Sequence, residues 1–414
     1  MVMTIDTPVD FAYDPYSEEA LRDPTDLYRV LRQRYPAYPL PQYDAWALSR
    51  FDDVWEVGED GERFVMDAGP VYNPADLARR NAGAPARKPL DPMPSFSRID
   101  PPVQTALRQG LVAPLRPHAV GLLEEKVRTL ARQRLDELVS KGEFDLYTDY
   151  GGVVSAGVMA IVMGLPIELA PRILELVNQA LRRKPPGAVE DAVTGRAGLE
   201  LHMMLVDVVA HRRIQGPTGD GYAAIDGMLS TELDGRALTD DEIAVQLFTV
   251  LSGGTETVPK VVARCLLELS RRPDQLAAVR ENVATNCRLA FEETMRYGAP
   301  LQHVGRTATL DVEIAGAQIR AGQRVFLLIP SANRDEREFA NPDEFIWNRS
   351  MERHFAFGHG LHFCIGVHVA RLEGRVLLEE LLRRVPSYEI DESRSLMPPS
   401  DFQIGYTNMP ILVL

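Results

Sequence analysis

A mainly helical fold with a small β-rich side is the class this sequence predicts, and three observations carry it. A long pattern of apolar residues at helical spacing runs from Thr239 to Arg271. It opens on Thr239-Asp240-Asp241-Glu242, an N-cap followed by an acidic first turn, which suits the positive end of a helix. Similar patterns cover 117–141, 145–163, 190–213, 286–297 and 364–384, whereas only 44–50, 306–320 and 386–414 lean towards β.

Taken in order, Asp100-Pro101-Pro102 opens a helix, because proline is tolerated in a first turn. The apolar stretch 152–165 is shorter than the roughly 20 residues a spanning helix needs, so a buried helix is expected there. Within 306–320, short apolar runs flank Gly316. The segment 331–360 is rich in Asn, Asp, Arg and Phe and reads as irregular. The segment 67–94 holds six prolines and six alanines without periodicity and reads as a loop, of a length that is usually functional or disordered. No internal repeat interrupts the chain, and one domain over 1–414 is expected.

The composition narrows function. A net charge of -14 disfavours binding to nucleic acid, which needs Lys and Arg against phosphates. Three cysteines, Cys265, Cys287 and Cys364, form no CxxC pair and no even framework, which suits a reducing cytoplasm. The first 16 residues lack the apolar core of a signal peptide, so a soluble cytoplasmic protein is expected.

Three motifs carry chemistry. The first is Phe357-Gly358-His359-Gly360-Leu361-His362-Phe363-Cys364-Ile365-Gly366. A cysteine at a helix start gains from the dipole and from free N–H groups, which favour a thiolate. Gly358, Gly360 and Gly366 let the backbone fold tightly around it. The second is Glu293-Thr294-Met295-Arg296, whose carboxylate and guanidinium share a helix face. The third is Leu251-Ser252-Gly253-Gly254-Thr255-Glu256-Thr257-Val258-Pro259 within the long helical pattern. Two glycines weaken a helix interior by about 1 kcal/mol each, so close approach by something else is expected at Gly253 and Gly254. Pro259 frees the Thr255 carbonyl, and a bend or widening is expected there.

Together these segments resemble the cytochrome P450 family. The decapeptide is similar to its haem-binding loop, Glu293 and Arg296 to its ExxR element, and 251–259 to its oxygen-binding groove. The resemblance runs from about residue 14 to 414 and is most specific at the cysteine loop. It implies a triangular, mostly helical prism with haem b between the central helix and the cysteine-bearing helix. Cys364 would be the iron ligand, with Phe357, Gly358 and Gly366 around it. His362, Arg306 and Arg108 would meet the propionates, and Gln104 stands where many relatives have a histidine. Glu256 and Thr257 would relay protons during O2 activation, although Val258 and Pro259 depart from the family pattern. Glu293 and Arg296 would form a buried network with Arg349.

The implied activity is insertion of one oxygen atom from O2 into a small to medium hydrophobic substrate, such as a terpenoid, fatty acid or steroid-like compound. Val250, Leu251, Leu301, Val304 and Ile404 would line the pocket with the 67–94 loop. Gln302 and His303 read as packed residues rather than substrate contacts, and Arg79, Arg80, Arg87 and Lys88 as solvated charges. No GxGxxG or flavin segment is visible, so electrons are expected from a ferredoxin with its NAD(P)H-dependent reductase. Arg108, Arg116, Arg353, His354 and Arg371 form a candidate basic patch for that partner. The competing readings are a peroxide-driven haem-thiolate enzyme, a non-catalytic haem sensor, and zinc binding by Cys364, which would need three more ligands.

Overall fold

The central helix, Asp240–Ser270, explains most of the architecture. Its 31 residues start at a complete capping box, in which Thr239 Oγ1 accepts from Glu242 N–H and the Glu242 carboxylate accepts from Thr239 N–H. It is apolar around much of its circumference, so other elements must surround it. Gly152–Met163, Ala192–Gln215, Val283–Tyr297 and Val367–Arg384 all pack against it. The computed structural model describes residues 10–67, 69–81, 93–182, 192–217 and 223–414.

The β side is small. Five strands pair in the order Ala37–Leu40, Ala45–Leu48, Arg324–Leu328, His303–Ala308 and Phe64–Val65, all antiparallel except Ala45–Leu48 with Arg324–Leu328. Three more, Tyr388–Ile390, Pro410–Val413 and Glu143–Asp145, form a second antiparallel sheet. Tyr13, Tyr28, Tyr38, Tyr72 and Phe326 build a separate aromatic cluster behind the five-stranded sheet.

Several boundaries differ from the sequence reading. The 306–320 segment is two structures: His303–Ala308 joins the main sheet, and Val312–Ile314 with Ala317–Ile319 makes an independent hairpin. Its turn has Ala315 at φ 52° and Gly316 at φ 78°, the left-handed pair a two-residue hairpin requires. The 117–141 pattern breaks into Pro117–Gly121 and Glu124–Val139. Part of the expected 67–94 loop is the helix Pro74–Asn81, which carries Arg79 and Arg80; Arg87 and Lys88 lie outside the described residues. The last helix begins at Val367, not at the cysteine. The helical stretch Leu146–Met163 is apolar and long enough to cross a membrane, yet 78% of it is buried inside the protein, as in a core helix.

Glu373, on Val367–Arg384, is buried and accepts a hydrogen bond from Ser155 Oγ. Burial pushes its carboxyl from 4.5 up to about 8. Between those values the folded protein holds a proton that the unfolded chain releases, so this group costs stability as pH rises through that window. Glu373→Gln is therefore expected to melt like the parent at about pH 5 and several degrees higher at about pH 9. Parallel melting curves across that range would show that Glu373 is not held neutral.

Candidate haem site

The cysteine loop is shaped by its glycines and by helix Phe51–Glu59, helix Val103–Leu111 and Asn333. Gly358 and Gly360 both sit at φ 69°, in the left-handed region. A Cβ on Gly360 would lie 2.4 Å from the Gly58 carbonyl oxygen, so the loop can rest on helix Phe51–Glu59 only through glycine. Trp55 of that helix stacks on His359 with centroids 3.7 Å apart. From helix Val103–Leu111, Gln104 donates to the Leu361 carbonyl at 2.9 Å and Arg108 to the Phe363 carbonyl at 2.6 Å. Phe355 N–H donates to Asn333 Oδ1 at 2.6 Å, and Cys364 N–H closes the loop onto Phe357 O at 2.9 Å.

Cys364 is half-buried and precedes its helix by three residues. Burial pushes its thiol above the ordinary value, against the lowering effects of the Gly366 N–H, Arg108 and Arg371. The expectation of a low thiol pKa is thus corrected: desolvation outweighs the Gly366 N–H and the two guanidinium charges, and the helix begins three residues beyond the sulfur. A thiol in this place ionises when a metal ion takes the proton's position.

Arg306 is 4% exposed, and among the described residues its Nη1 donates to the Gly305 carbonyl (2.8 Å) and Met66 Sδ (3.4 Å). Among the described residues neither Arg306 nor Arg108 forms an ion pair. His362 faces both; burial and then their two charges hold its ring down at about 3, hence neutral. Its Nε2 has no hydrogen-bond partner among the described residues. Asp100 Oδ1 approaches to 3.6 Å, too far for a hydrogen bond and no ion pair with a neutral ring.

On the central helix, Gly253 is exposed although most of its neighbours are buried, and a Cβ there would meet nothing within 4 Å. Gly254 behaves differently: its Cβ would collide with Met159 Sδ at 2.2 Å, so it serves packing against Gly152–Met163. The helix stays α-helical through Pro259, without the widening that was one of the two expectations there, and Pro259 is received by Gly151 across the interface. Glu256 is buried in an ion pair with Lys260 (2.6 Å), and Thr257 is half-buried one residue on. The hydroxyls of Ser252 and Thr255, which the sequence reading passed over, are buried without partners among the described residues.

Glu293 and Arg296 are both 0% exposed and joined by two bonds of 2.7 and 2.8 Å. Arg296 also donates to the carbonyls of Asn333, Pro342 and Glu344, and Arg349 reaches both Glu293 oxygens at 3.1 Å. Of the expected pocket residues, Leu301 and Ile404 come together because the 300–302 strand edge pairs with the C-terminal loop. Val304 is half-buried and Val250 nearly buried, but Leu251 is 0% exposed and lies wholly in the core. His303 packs against Phe326, where burial lowers it to about 4, and Gln302 donates to the Ala20 carbonyl.

The expected basic patch is largely neutralised. Arg371 and His354 share Glu292, and Arg353 pairs with Glu338 and Asp52. Arg116 remains exposed.

These features fit a bound haem. Among the described residues, two arginines without an ion pair, an imidazole nitrogen without a hydrogen-bond partner and a bare glycine face suit the carboxylates and flat surface of the macrocycle. Among the described residues no three His, Cys, Asp or Glu side chains gather into a metal site, which weighs against zinc. A helical fold holding a cysteine loop beside such a cluster is the architecture of a haem-thiolate protein.

Comparisons with known proteins agree. The family model Cytochrome P450 matches residues 194–411. Putative cytochrome P450 123 of Mycobacterium tuberculosis is 31% identical over 98% of this chain and 97% of its own. Cytochrome P450 130 of the same species is 32% identical over 91% of each. The solved structure of CYP109Q5 from Chondromyces apiculatus superposes with a TM-score of 0.82, at 28% identity over 97% of both chains. The chain belongs to the cytochrome P450 family. It is a haem-thiolate monooxygenase, using haem iron, O2, an organic substrate and a source of electrons.

Proposed function

We propose that Cys364 ligates haem b and that the protein oxidises a small to medium hydrophobic molecule in the cytoplasm, with electrons from a ferredoxin and its NAD(P)H-dependent reductase. The observation that carries this reading is the desolvated Cys364 in a glycine-hinged loop beside Arg108, Arg306 and His362; among the described residues neither arginine forms an ion pair and the His362 Nε2 has no hydrogen-bond partner. When bound, the haem supplies O2 activation and oxygen transfer. Arg306 and His362 would hold the propionates, Arg108 would serve them beside its bond to the Phe363 carbonyl, and Gln104 would support the cofactor through the loop carbonyl of Leu361. Phe357, Gly358 and Gly366 shape the sulfur's surroundings, and Gly253 leaves room for the macrocycle. Thr257 and Glu256 move protons towards that space. The Glu293–Arg296–Arg349 network keeps 333–349 in place under the loop.

Leu301, Val304 and Ile404 would present apolar surface to the substrate, together with Val250 of the central helix. A screen of hydrophobic compounds for the absorbance change caused by displacing water from the haem tests this class directly; response only to charged hydrophiles would reject it. For the electron donor, Arg116→Glu is expected to slow reduction by ferredoxin several-fold at low salt and to lose that effect at high salt. Reduction unchanged at every ionic strength would remove Arg116 from the docking face. Turnover with peroxide alone, and none with reduced ferredoxin, would select the peroxide-driven alternative.

A further inference from the structure

Helix Ala192–Gln215 carries apolar side chains on both of its sides. Leu201, Leu205 and Val209 are 0% exposed, and the helix packs on Ala170–Ala180 and on the central helix. On the outward face, Leu199 is 61% exposed and Met203 49%. A surface helix ordinarily turns polar residues to solvent, so an exposed leucine and methionine one turn apart mark a contact surface. Gly195, one turn before Leu199, weakens the helix by about 1 kcal/mol relative to alanine. A Cβ there would meet nothing within 4 Å, so the space beside this face is open.

The charges around the pair match those of a second copy running the other way. Arg196, Leu199, Met203 and Asp207 follow one another at helical spacing and share a strip about 80° wide and about 17 Å long. Read forwards the strip is positive, apolar, apolar, negative; read backwards it is negative, apolar, apolar, positive. An antiparallel copy, related by a two-fold axis between Leu199 and Met203, therefore sets Leu199 on the copy's Met203 and Arg196 on the copy's Asp207, each twice. Arg196 and Asp207 lie to the same side of the apolar pair, and such an axis keeps that side common, so opposite charges meet. Both residues are exposed. The Arg196 guanidinium has five donors, so a carboxylate from a copy adds to the contacts it makes in its own chain. Glu200, the nearest other acid, is already paired with Arg172.

We propose that this strip of Ala192–Gln215 is a docking surface for a second copy of the chain, with Leu199 and Met203 at its centre and Arg196–Asp207 pairs at its two ends. A lipid surface fits less well. Helices that lie on membranes carry Lys and Arg along the polar face, whereas Glu200 and Asp207 flank this one in a chain of net charge -14. A strip about 17 Å long on a helix about 10 Å wide is smaller than the roughly 800 Å² that a standard interface covers per partner. The dimer is therefore weak and reversible, populated at high protein concentration. It does not depend on how the haem site works, since none of the four residues belongs to that site.

Sedimentation velocity of the purified holoprotein between about 1 and about 200 µM tests it, because association of this kind follows mass action. The weight-average sedimentation coefficient of the parent should rise with concentration. Leu199→Asp and Met203→Asp should each keep the protein monomeric throughout. Arg196→Asp and Asp207→Arg place like charges at both ends of the strip and should each weaken association at least about tenfold. The double variant Arg196→Asp/Asp207→Arg restores both pairs and should return to within about threefold of the parent. Because the substituted side chains are exposed, far-ultraviolet circular dichroism should match the parent in every variant; should an aspartate variant unfold, Met203→Gln takes its place. A parent that stays monomeric at the highest concentration overturns the proposal. So does association that survives Leu199→Asp and Met203→Asp, or a double charge swap no better than its single members. A monomeric parent that binds phosphatidylcholine vesicles through Leu199 and Met203 gives the face to lipid and overturns it as well.

Discussion

Replacing Cys364 by serine is expected to abolish the red-shifted Soret band of the ferrous–carbonyl complex and to cut turnover by roughly a thousandfold, about 4 kcal/mol of barrier. The fold should survive. The loop is closed by Cys364 N–H to Phe357 O and held by Gln104, Arg108 and Asn333, none of which uses the sulfur. Burial already keeps the thiol protonated in the haem-free chain, so serine replaces one neutral group by another of similar size. What is lost is electron donation from sulfur to iron, which favours O–O cleavage. Far-ultraviolet circular dichroism matching the parent, with the absorbance signature gone, is the expected pair of results. An unchanged carbonyl spectrum would mean that another residue ligates the iron.

Arg296→Met should destabilise the protein by about 3–5 kcal/mol, the usual cost of removing one partner from a buried ion pair. The side chain is 0% exposed and donates to Glu293 and to three backbone carbonyls in the irregular 333–344 segment. Met removes the Arg296 donor from the Asn333 and Pro342 carbonyls, the Glu344 carbonyl keeps Arg349 Nη2 at 2.9 Å, and Glu293 is left with Arg349 and the Ile346 N–H. The damage should also travel to the site. Arg296 fixes the Asn333 carbonyl, and Asn333 Oδ1 accepts from Phe355 N–H at the start of the cysteine loop. Lower haem occupancy at full expression is therefore expected alongside a reduced midpoint in urea. A midpoint shifted by less than about 1 kcal/mol would show that the network is not the support for this segment.

The motifs were legible because each depends on local geometry. A cysteine flanked by glycines at fixed spacing needs left-handed backbone nearby, and Gly358 and Gly360 adopt it. Glu293 and Arg296 share a helix face by periodicity alone, and Thr239 to Glu242 is a capping box readable letter by letter. The long helical pattern was equally plain, since apolar residues at helical spacing persist over 31 residues. The helix inside 67–94 was not, because its proline and alanine content obscured the short periodic run.

Residue types, spacing and helical periodicity thus determined the fold class, the cysteine and the ExxR pair. Tertiary structure alone decided which glycine faces open space and which faces Met159, that Gln104 clamps a loop carbonyl, and that carboxylates cancel most of the basic patch. It also decided that Glu256 and Lys260 pair inside the protein, since an i,i+4 pair on paper is ordinarily a solvated contact. The physical reason is burial: desolvation sets the state of Cys364, His362 and Glu373, and it depends on residues that are near in space but remote in the chain.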